Sequence, residues 1–457
     1  MASCLGVSSP NNPLHQLSAN LRSDLCFDWS PGLRSYFFKA RHKKLLDLWS
    51  YDSPADFKKL LASPKDAISE DDQKCFFKLL SGDRNCAQEK FVATYSIKKY
   101  GPNPKSWDPV FFGREVLALR GAVTAREELT QLLRIQDSSH GEFERTLLEN
   151  VKSLQLSSGN SIADLSAQQK SRILVALVNG YVSKSSRVVT AMENFRDELI
   201  KQGYQSQVMP TITSDDTIPN ANRIAKALND LPSDIDSIII MGVSKGVSEI
   251  SLTLNRRGRL SPQTLRKIKL VISMSGVIRY SQGAHWVLTH PEENGSLLLH
   301  GLLNWDLGAD YWLGLLGLGN DSWPERMALP QHPEELSHIL WISLVALPTL
   351  PTGLPEAMSG IAWVQNKMLR DLRDQIGPFD GFVESGASVL PPNTGMTQWI
   401  VPALASHFML EGKFLDGSPV SPEFQRNSQM KTGPRFSLGA LGLQKAILRS
   451  VPSSLLQ

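Results

Sequence analysis

Cysteine is scarce in this chain and confined to its start. Four occur in 457 residues, at Cys4, Cys26, Cys75 and Cys86, all in the first fifth. No Cys-x-x-Cys pair is present, which removes the usual structural-zinc and dithiol patterns. The even count and the spacing of Cys75 and Cys86 leave two readings, free thiols or disulfides formed in an oxidising compartment. An excess of one charge sign is missing too. Lys and Arg total 48 against 45 Asp and Glu, a formal net charge of +3, with neither the basic stripe of a nucleic-acid binder nor an acidic solvating block. Long hydrophobic runs are also absent. The longest uncharged apolar stretch, HILWISLVALPTLPTGLP, is broken by prolines and is shorter than the ~20 residues a helix needs to cross a bilayer. The opening MASCLGVSSPNNPLHQ has no basic start and no apolar h-region. That reads as a cytoplasmic protein, or as an exported one whose leader has been removed, so the compartment stays open. No internal repeat is visible.

What is present is a globular composition, with 41% hydrophobic and 20% charged residues, enough for a sizeable core. The length suggests roughly two to three units of ~150 residues, or one large α/β domain with an appendage. Residues 1–165 read as a helical N-terminal region. GLRSYFFKARHKKLLDLW, PADFKKLLA, EDDQKCFFKLL, EKFVATYSIKKY, EELTQLLRIQ and EFERTLLENVKSL each repeat apolar residues at three- and four-residue spacing. Ser53-Pro54 and the capping-box pattern Thr124-Ala-Arg-Glu127 supply helix starts. SSGNSIADLSAQQKS is a polar boundary.

From residue 172 strands and helices alternate. RILVALVNG, QSQVMPT, DSIIIMG, KIKLVISMSG, ILWISLVAL and TQWIVPAL are strands. NFRDELIKQGY, NANRIAKALNDL, VSEISLTLNRRG and MSGIAWVQNKMLRDLRDQIG are helices. This order predicts an α/β fold with a mostly parallel sheet covered by helices on both faces, over residues 166–417. An insertion at about 280–335 holds Trp286, Trp305, Trp312 and Trp323 in Leu- and Gly-rich text. It is either a cap over a site or a packed helical subdomain. Residues 418–457, rich in Ser, Pro and Gly, read as a tail wrapping the surface.

Gly242-Val243-Ser244-Lys245-Gly246 stands between the strand IIIM and the helix VSEISLTL. The pentapeptide pattern alone is weak, since a random chain of this length matches it in roughly one case of six at ~7% Gly and Ser. Its setting is more specific. A nucleophilic serine sits on a sharp strand-to-helix turn, with glycines two residues before and two after where side chains would collide. Such a serine needs a base and an orienting acid, in the order serine, acid, histidine. Of nine histidines only His407 follows the last strand. Between them GPFDGFVES offers Asp380, in a Gly/Pro-flanked loop, and Glu384 as the alternative acid. Asp380 could equally serve only as a turn residue.

Together these segments resemble the α/β-hydrolase superfamily, in the branch of bacterial serine lipases and esterases. RILVALVNGY is similar to that family's first core strand and oxyanion loop, GVSKG to its nucleophile elbow, and DGFV to its Asp-Gly-x-Val box. The resemblance spans about residues 170–412 and does not extend to residues 1–165. It implies a serine hydrolase of carboxylic esters with Ser244, His407 and Asp380 as triad, needing no cofactor or metal. It also implies an oxyanion hole from the backbone of Lys245 and of Gly180 or Tyr181, and a small-molecule or lipid ester as substrate. The Trp/Leu-rich insertion would favour apolar acyl chains. Two departures stand out: Asn179-Gly180-Tyr181 where many lipases have His-Gly, and Lys245 after the serine, whose side chain is either a cation near the acyl group or a solvent-reaching lysine. Thioester or amide hydrolysis, and a non-catalytic binding protein, remain alternatives. The sequence leaves the oligomeric state open.

Overall fold

The six segments expected as strands form one sheet in the computed structural model. It describes residues 103–152, 161–180, 187–212, 217–255, 259–279, 333–347, 377–422 and 434–456, apart from 381, 382, 393, 406, 408 and 410–412. The strands are β1 (Ile173–Val178), β2 (Gln205–Val208), β3 (Ser237–Val243), β4 (Ile268–Met274), β5 (Leu340–Ala346) and β6 (Gln398–Leu404). They pair in parallel in the order β2-β1-β3-β4-β5-β6. A short β7 (Lys413–Phe414) closes the far edge antiparallel to β6. The described helices are α1 (Pro109–Gln136), α2 (Glu142–Lys152), α3 (Arg187–Lys201), α4 (Thr217–Asn229), α5 (Lys245–Asn255), α6 (Pro262–Lys267) and α7 (Pro434–Ser450), besides single turns.

The central strands read as unbroken apolar runs because both faces of a parallel sheet are covered. Ile238, Ile239, Ile240 and Met241 are wholly inaccessible, and each such side chain contributes about 1.5–3 kcal/mol by leaving water. On one face Ile239, Met241, Leu270 and Ile342 meet Phe195 and Leu199 of α3, Phe143 and Leu147 of α2, and Leu443 and Ile447 of α7. On the other, Ile238, Ile240 and Val271 meet Ile224 and Leu228 of α4 and Ile250 and Leu254 of α5. Leu129 and Leu133 of α1 cover Val345 and Ile400 beside them. The edge strand β2 is polar, Gln205-Ser206-Gln207, and partly exposed, which discourages further pairing.

Two sequence expectations give way. The capping-box pattern at Thr124 does not start a helix, since α1 runs unbroken through it from Pro109. The real start is Asp108, whose Oδ1 accepts from Val110 N at 2.9 Å and Phe111 N at 3.3 Å, with Pro109 in the first turn as the geometry favours. The stretch read as a surface tail contains α7, whose Leu443, Ala446, Ile447 and Leu448 lie in the core. The Ser and Pro around it masked a helical period that only the sheet face reveals. The four cysteines, the helix starts near residue 53, and nearly all of both the insertion at 280–335 and the helix expected over 358–377 lie outside the described residues. Among the described residues no helix is long and apolar enough to cross a membrane.

The packing of α7 predicts that Leu443→Ala and Ile447→Ala each lower unfolding free energy by about 2–5 kcal/mol in urea titrations. A surface tail would leave the midpoint within about 0.5 kcal/mol of wild type.

Candidate functional site

Strand β3 ends at Val243 and α5 begins at Lys245, so the whole turn falls on Ser244. Its φ is +53°, a left-handed conformation that costs a non-glycine residue roughly 1–2 kcal/mol. The surroundings hold it there. Ser244 N donates to Met274 O at 3.1 Å, and Ser244 O accepts from Val247 N and Val277 N, both at 3.1 Å. The flanking glycines answer to crowding. A Cβ on Gly242 would lie 2.5 Å from Ile250 Cδ1, and one on Gly246 would lie 2.4 Å from Asn179 O. The turn therefore closes onto the ends of β1 and β4, and Ser244 is left half-buried at the C-terminal rim of the sheet.

His407 follows β6 and Asp380 lies in the loop before it, and the structure brings both to Ser244. His407 Nε2 is 2.9 Å from Ser244 Oγ, and His407 Nδ1 is 2.8 Å from Asp380 Oδ2. Asp380 is 1% exposed and His407 6%. A carboxylate oxygen accepts, so this pairing favours the tautomer with the proton on Nδ1, which leaves Nε2 facing the serine hydroxyl. A second link fixes the pair, because His407 N donates to Asp380 O at 2.9 Å. Asp380 is set in turn by Val383, whose N donates to Oδ1 at 2.8 Å and whose O accepts from Asp380 N at 2.9 Å.

Gly180 is beside the serine, where a Cβ would stand 3.1 Å from Ser244 Cβ. Tyr181 lies outside the described residues. The Lys245 backbone is the first residue of α5, where N–H groups point out of the helix end and the dipole favours negative charge. Glu384, the alternative acid, is not brought to His407. Its carboxylate is held by Arg114 and by Gly377 N.

The Lys245 side chain neither reaches solvent nor stands as a lone cation. It is 1% exposed, with Nζ 3.3 Å from Glu249 Oε1 one turn along α5. Glu249 Oε1 also accepts from Asn220 Nδ2 at 2.7 Å, and Asn220 ties to Ile212 through both N and O. Arg223 donates to Asn220 Oδ1 at 2.6 Å. Glu249 Oε2 has no hydrogen bond among the described residues. Burial outweighs Lys245 and Asn220 and pushes this carboxyl up to about 7 from its ordinary 4.5. The i,i+4 spacing of Lys245 and Glu249 was visible in the sequence, but their burial was not. Arg114 gave no signal, being 270 positions from Glu384.

A raised carboxyl binds its proton more tightly in the folded state than in the unfolded chain. Its stability contribution is complete below about 4.5 and is lost as pH rises through about 7. Glu249→Gln should therefore gain stability relative to wild type at pH 8 and lose that advantage at pH 5, read as urea midpoints at both values.

Among the described residues no group of three His, Cys, Asp or Glu is placed to hold a metal ion. No family model matches the chain, nor does any curated protein sequence. Several solved structures are similar to it. A metagenomic carboxyl esterase shares 17% identity over 61% of this chain and 75% of its own, with a TM-score of 0.39. The mature Bacillus licheniformis lipase BlEst2 shares 16% over 53% and 86%, at 0.34. Aspergillus fumigatus lipase B shares 13% over 86% and 94%, at 0.31. The parallel strand order β2-β1-β3-β4-β5-β6, helices on both faces and a serine turn after β3 give this chain the α/β-hydrolase fold.

Proposed function

We propose that this protein is a serine hydrolase of carboxylic esters, working through an acyl-enzyme on Ser244. The observation that carries the reading is the unbroken hydrogen-bond path from Ser244 Oγ through both His407 nitrogens to Asp380, at 2.9 and 2.8 Å. A weak nucleophile becomes competent when an adjacent base can take its proton and a third group holds that base. Here His407 Nε2 takes the hydroxyl proton as Oγ bonds to the ester carbonyl carbon. The buried Asp380 carboxylate stabilises the imidazolium and keeps the ring oriented. Nε2 then gives the proton to the departing alkoxide as the C–O bond breaks, and water repeats the sequence to release the acid and restore Ser244.

The oxyanion of each tetrahedral intermediate is assigned to the backbone N–H of Lys245 and of Gly180 or Tyr181. Removing one such donor typically costs about 2.7–4 kcal/mol of transition-state stabilisation. The position of Lys245 at the helix start supports its part, and so does the contact of Gly180 with Ser244. The preference for apolar acyl chains rests on the Trp- and Leu-rich composition of 280–335.

The test is labelling by a fluorophosphonate, run beside turnover of p-nitrophenyl esters of short and long chain and of matched thioester and amide substrates. Ser244→Ala should abolish labelling, His407→Ala should nearly do so, and Asp380→Asn should lower kcat by about 10⁴-fold. Faster turnover of long esters than short ones supports the acyl assignment. Wild-type protein that neither labels nor turns over any ester, with or without detergent micelles, overturns the reading.

A further inference from the structure

The loop that carries Asp380 is closed at its base by Glu384. Ser385 N donates to Pro378 O at 2.7 Å, and Phe379 and Glu384 form an isolated bridge. Glu384 is 1% exposed, and its carboxylate pairs with Arg114 of α1. Arg114 Nε donates to Oε1 at 2.8 Å and Arg114 Nη2 to Oε2 at 2.5 Å, a two-pronged pair, and Gly377 N donates to Oε1 at 2.6 Å. The backbones themselves are in contact. A Cβ on Gly113 would come 3.0 Å from Pro378 Cδ, and one on Gly377 would come 3.2 Å from the carbonyl carbon of Gly113. A second tie lies at the start of α1, where Asp108 Oδ1 accepts from Arg279 Nη1 at 2.7 Å. Arg279 and Ile278 in turn donate their backbone N–H to Ala387 O, at 3.3 and 3.1 Å.

We propose that Arg114 and Glu384 are positioning residues for Asp380, so that α1 sets the direction of the carboxylate that holds His407. This rests on the reading of Ser244, His407 and Asp380 as the reacting set. Glu384 acts through the loop, because its two oxygens are taken up by Arg114 and Gly377. The planar guanidinium fixes both the distance and the plane of the Glu384 carboxylate, which a lysine ammonium does not. With the base of the loop pinned, Asp380 projects from a span closed at Val383 and at Glu384. The segment that the family resemblance left unaccounted for thereby takes a part in the site.

Two measurements test this on the full chain. The first is the rate of Ser244 labelling by a fluorophosphonate. Arg114→Ala strands a buried carboxylate and threatens the fold, so the paired replacement Arg114→Met with Glu384→Gln is the main variant, since the amide oxygen introduced by Glu384→Gln still accepts from Gly377 N. Misplacement by about 1 Å costs on the order of 100-fold, and a slowing of that size is expected, with partial recovery in Arg114→Lys. In an Asp380→Asn background the paired replacement should change the rate by less than about 2-fold, because coupled residues are not additive. The second is the downfield proton resonance of His407 Nδ1–H, identified by its loss in Asp380→Ala, which is expected to be lost or shifted in the paired variant whether or not a substrate is known. A paired variant that labels at the wild-type rate and keeps the resonance overturns the positioning role and leaves the hydrolase reading standing. Full additivity with Asp380→Asn also overturns it. A wild type with the resonance but no labelling sinks the hydrolase reading instead, while loss of the resonance in the variant still supports the clamp.

Discussion

The arrangement depends on one strained backbone position. Ser244 is held at φ +53° between the central strand β3 and helix α5, and this is tolerable only because its neighbours leave it no alternative. Non-glycine residues in such regions cost of order 1–3 kcal/mol and persist where the surroundings over-determine them. Here the determinants are Met274 O at the end of β4, Val277 N just beyond it, and Val247 N in α5. The parallel pairing of β1, β3 and β4 places Val178 opposite Gly242 and Gly242 opposite Ser273, so three strand ends reach the rim together. Open parallel sheets present their chemistry at the carboxyl ends of the strands, and the register supplies that here.

Rigidity at the serine would be idle without matching rigidity in the loops that meet it. His407 and Asp380 lie outside regular strands, yet they are tied to one another twice, through side chains and through His407 N to Asp380 O. Their burial strengthens these bonds, since a hydrogen bond gains electrostatic strength as the local dielectric falls. The same burial makes unpaired groups costly, and two further ionic pairs sit nearby under that pressure. Lys245 with Glu249 lies in the first turns of α5, next to Ser244, and Arg114 with Glu384 joins α1 to the loop of Asp380. Replacing one member of a buried pair is expensive because the other stays buried and uncompensated. Both turns are therefore linked to the core through charge as well as through apolar packing.

The strands were legible because a parallel sheet buried on both faces imposes a local signature. IIIM, LVISM and LWISLVA are short apolar runs with β-branched residues, and they became β3, β4 and β5. Helices α3, α4 and α5 were legible from their apolar spacing. Helix α7 was not, because Ser, Pro and Gly around it resemble a loop, and its apolar stripe gains meaning only against Phe195 and Met192 of α3. Thr124 misled for the opposite reason: a capping pattern is local, while the continuation of α1 through it is maintained by burial of Leu129 and Leu133 against β5 and β6.

The same division runs through the site. Sequence alone singled out Ser244, its two glycines, His407 and Asp380, because each is constrained by its own neighbours along the chain: a turn between strand and helix, a histidine after the last strand, an aspartate in a Gly/Pro loop. It favoured Asp380 over Glu384 only by the Gly/Pro flanks of Asp380, since both stand in one short loop. Tertiary structure separates the two, with Glu384 bonded to Arg114 and Asp380 to His407. It also decided the state of Lys245, which the chain alone left between a solvent-reaching lysine and a lone cation at the site. The first outcome depends on contacts between residues tens to hundreds of positions apart, and the second on burial, neither of which a local pattern encodes.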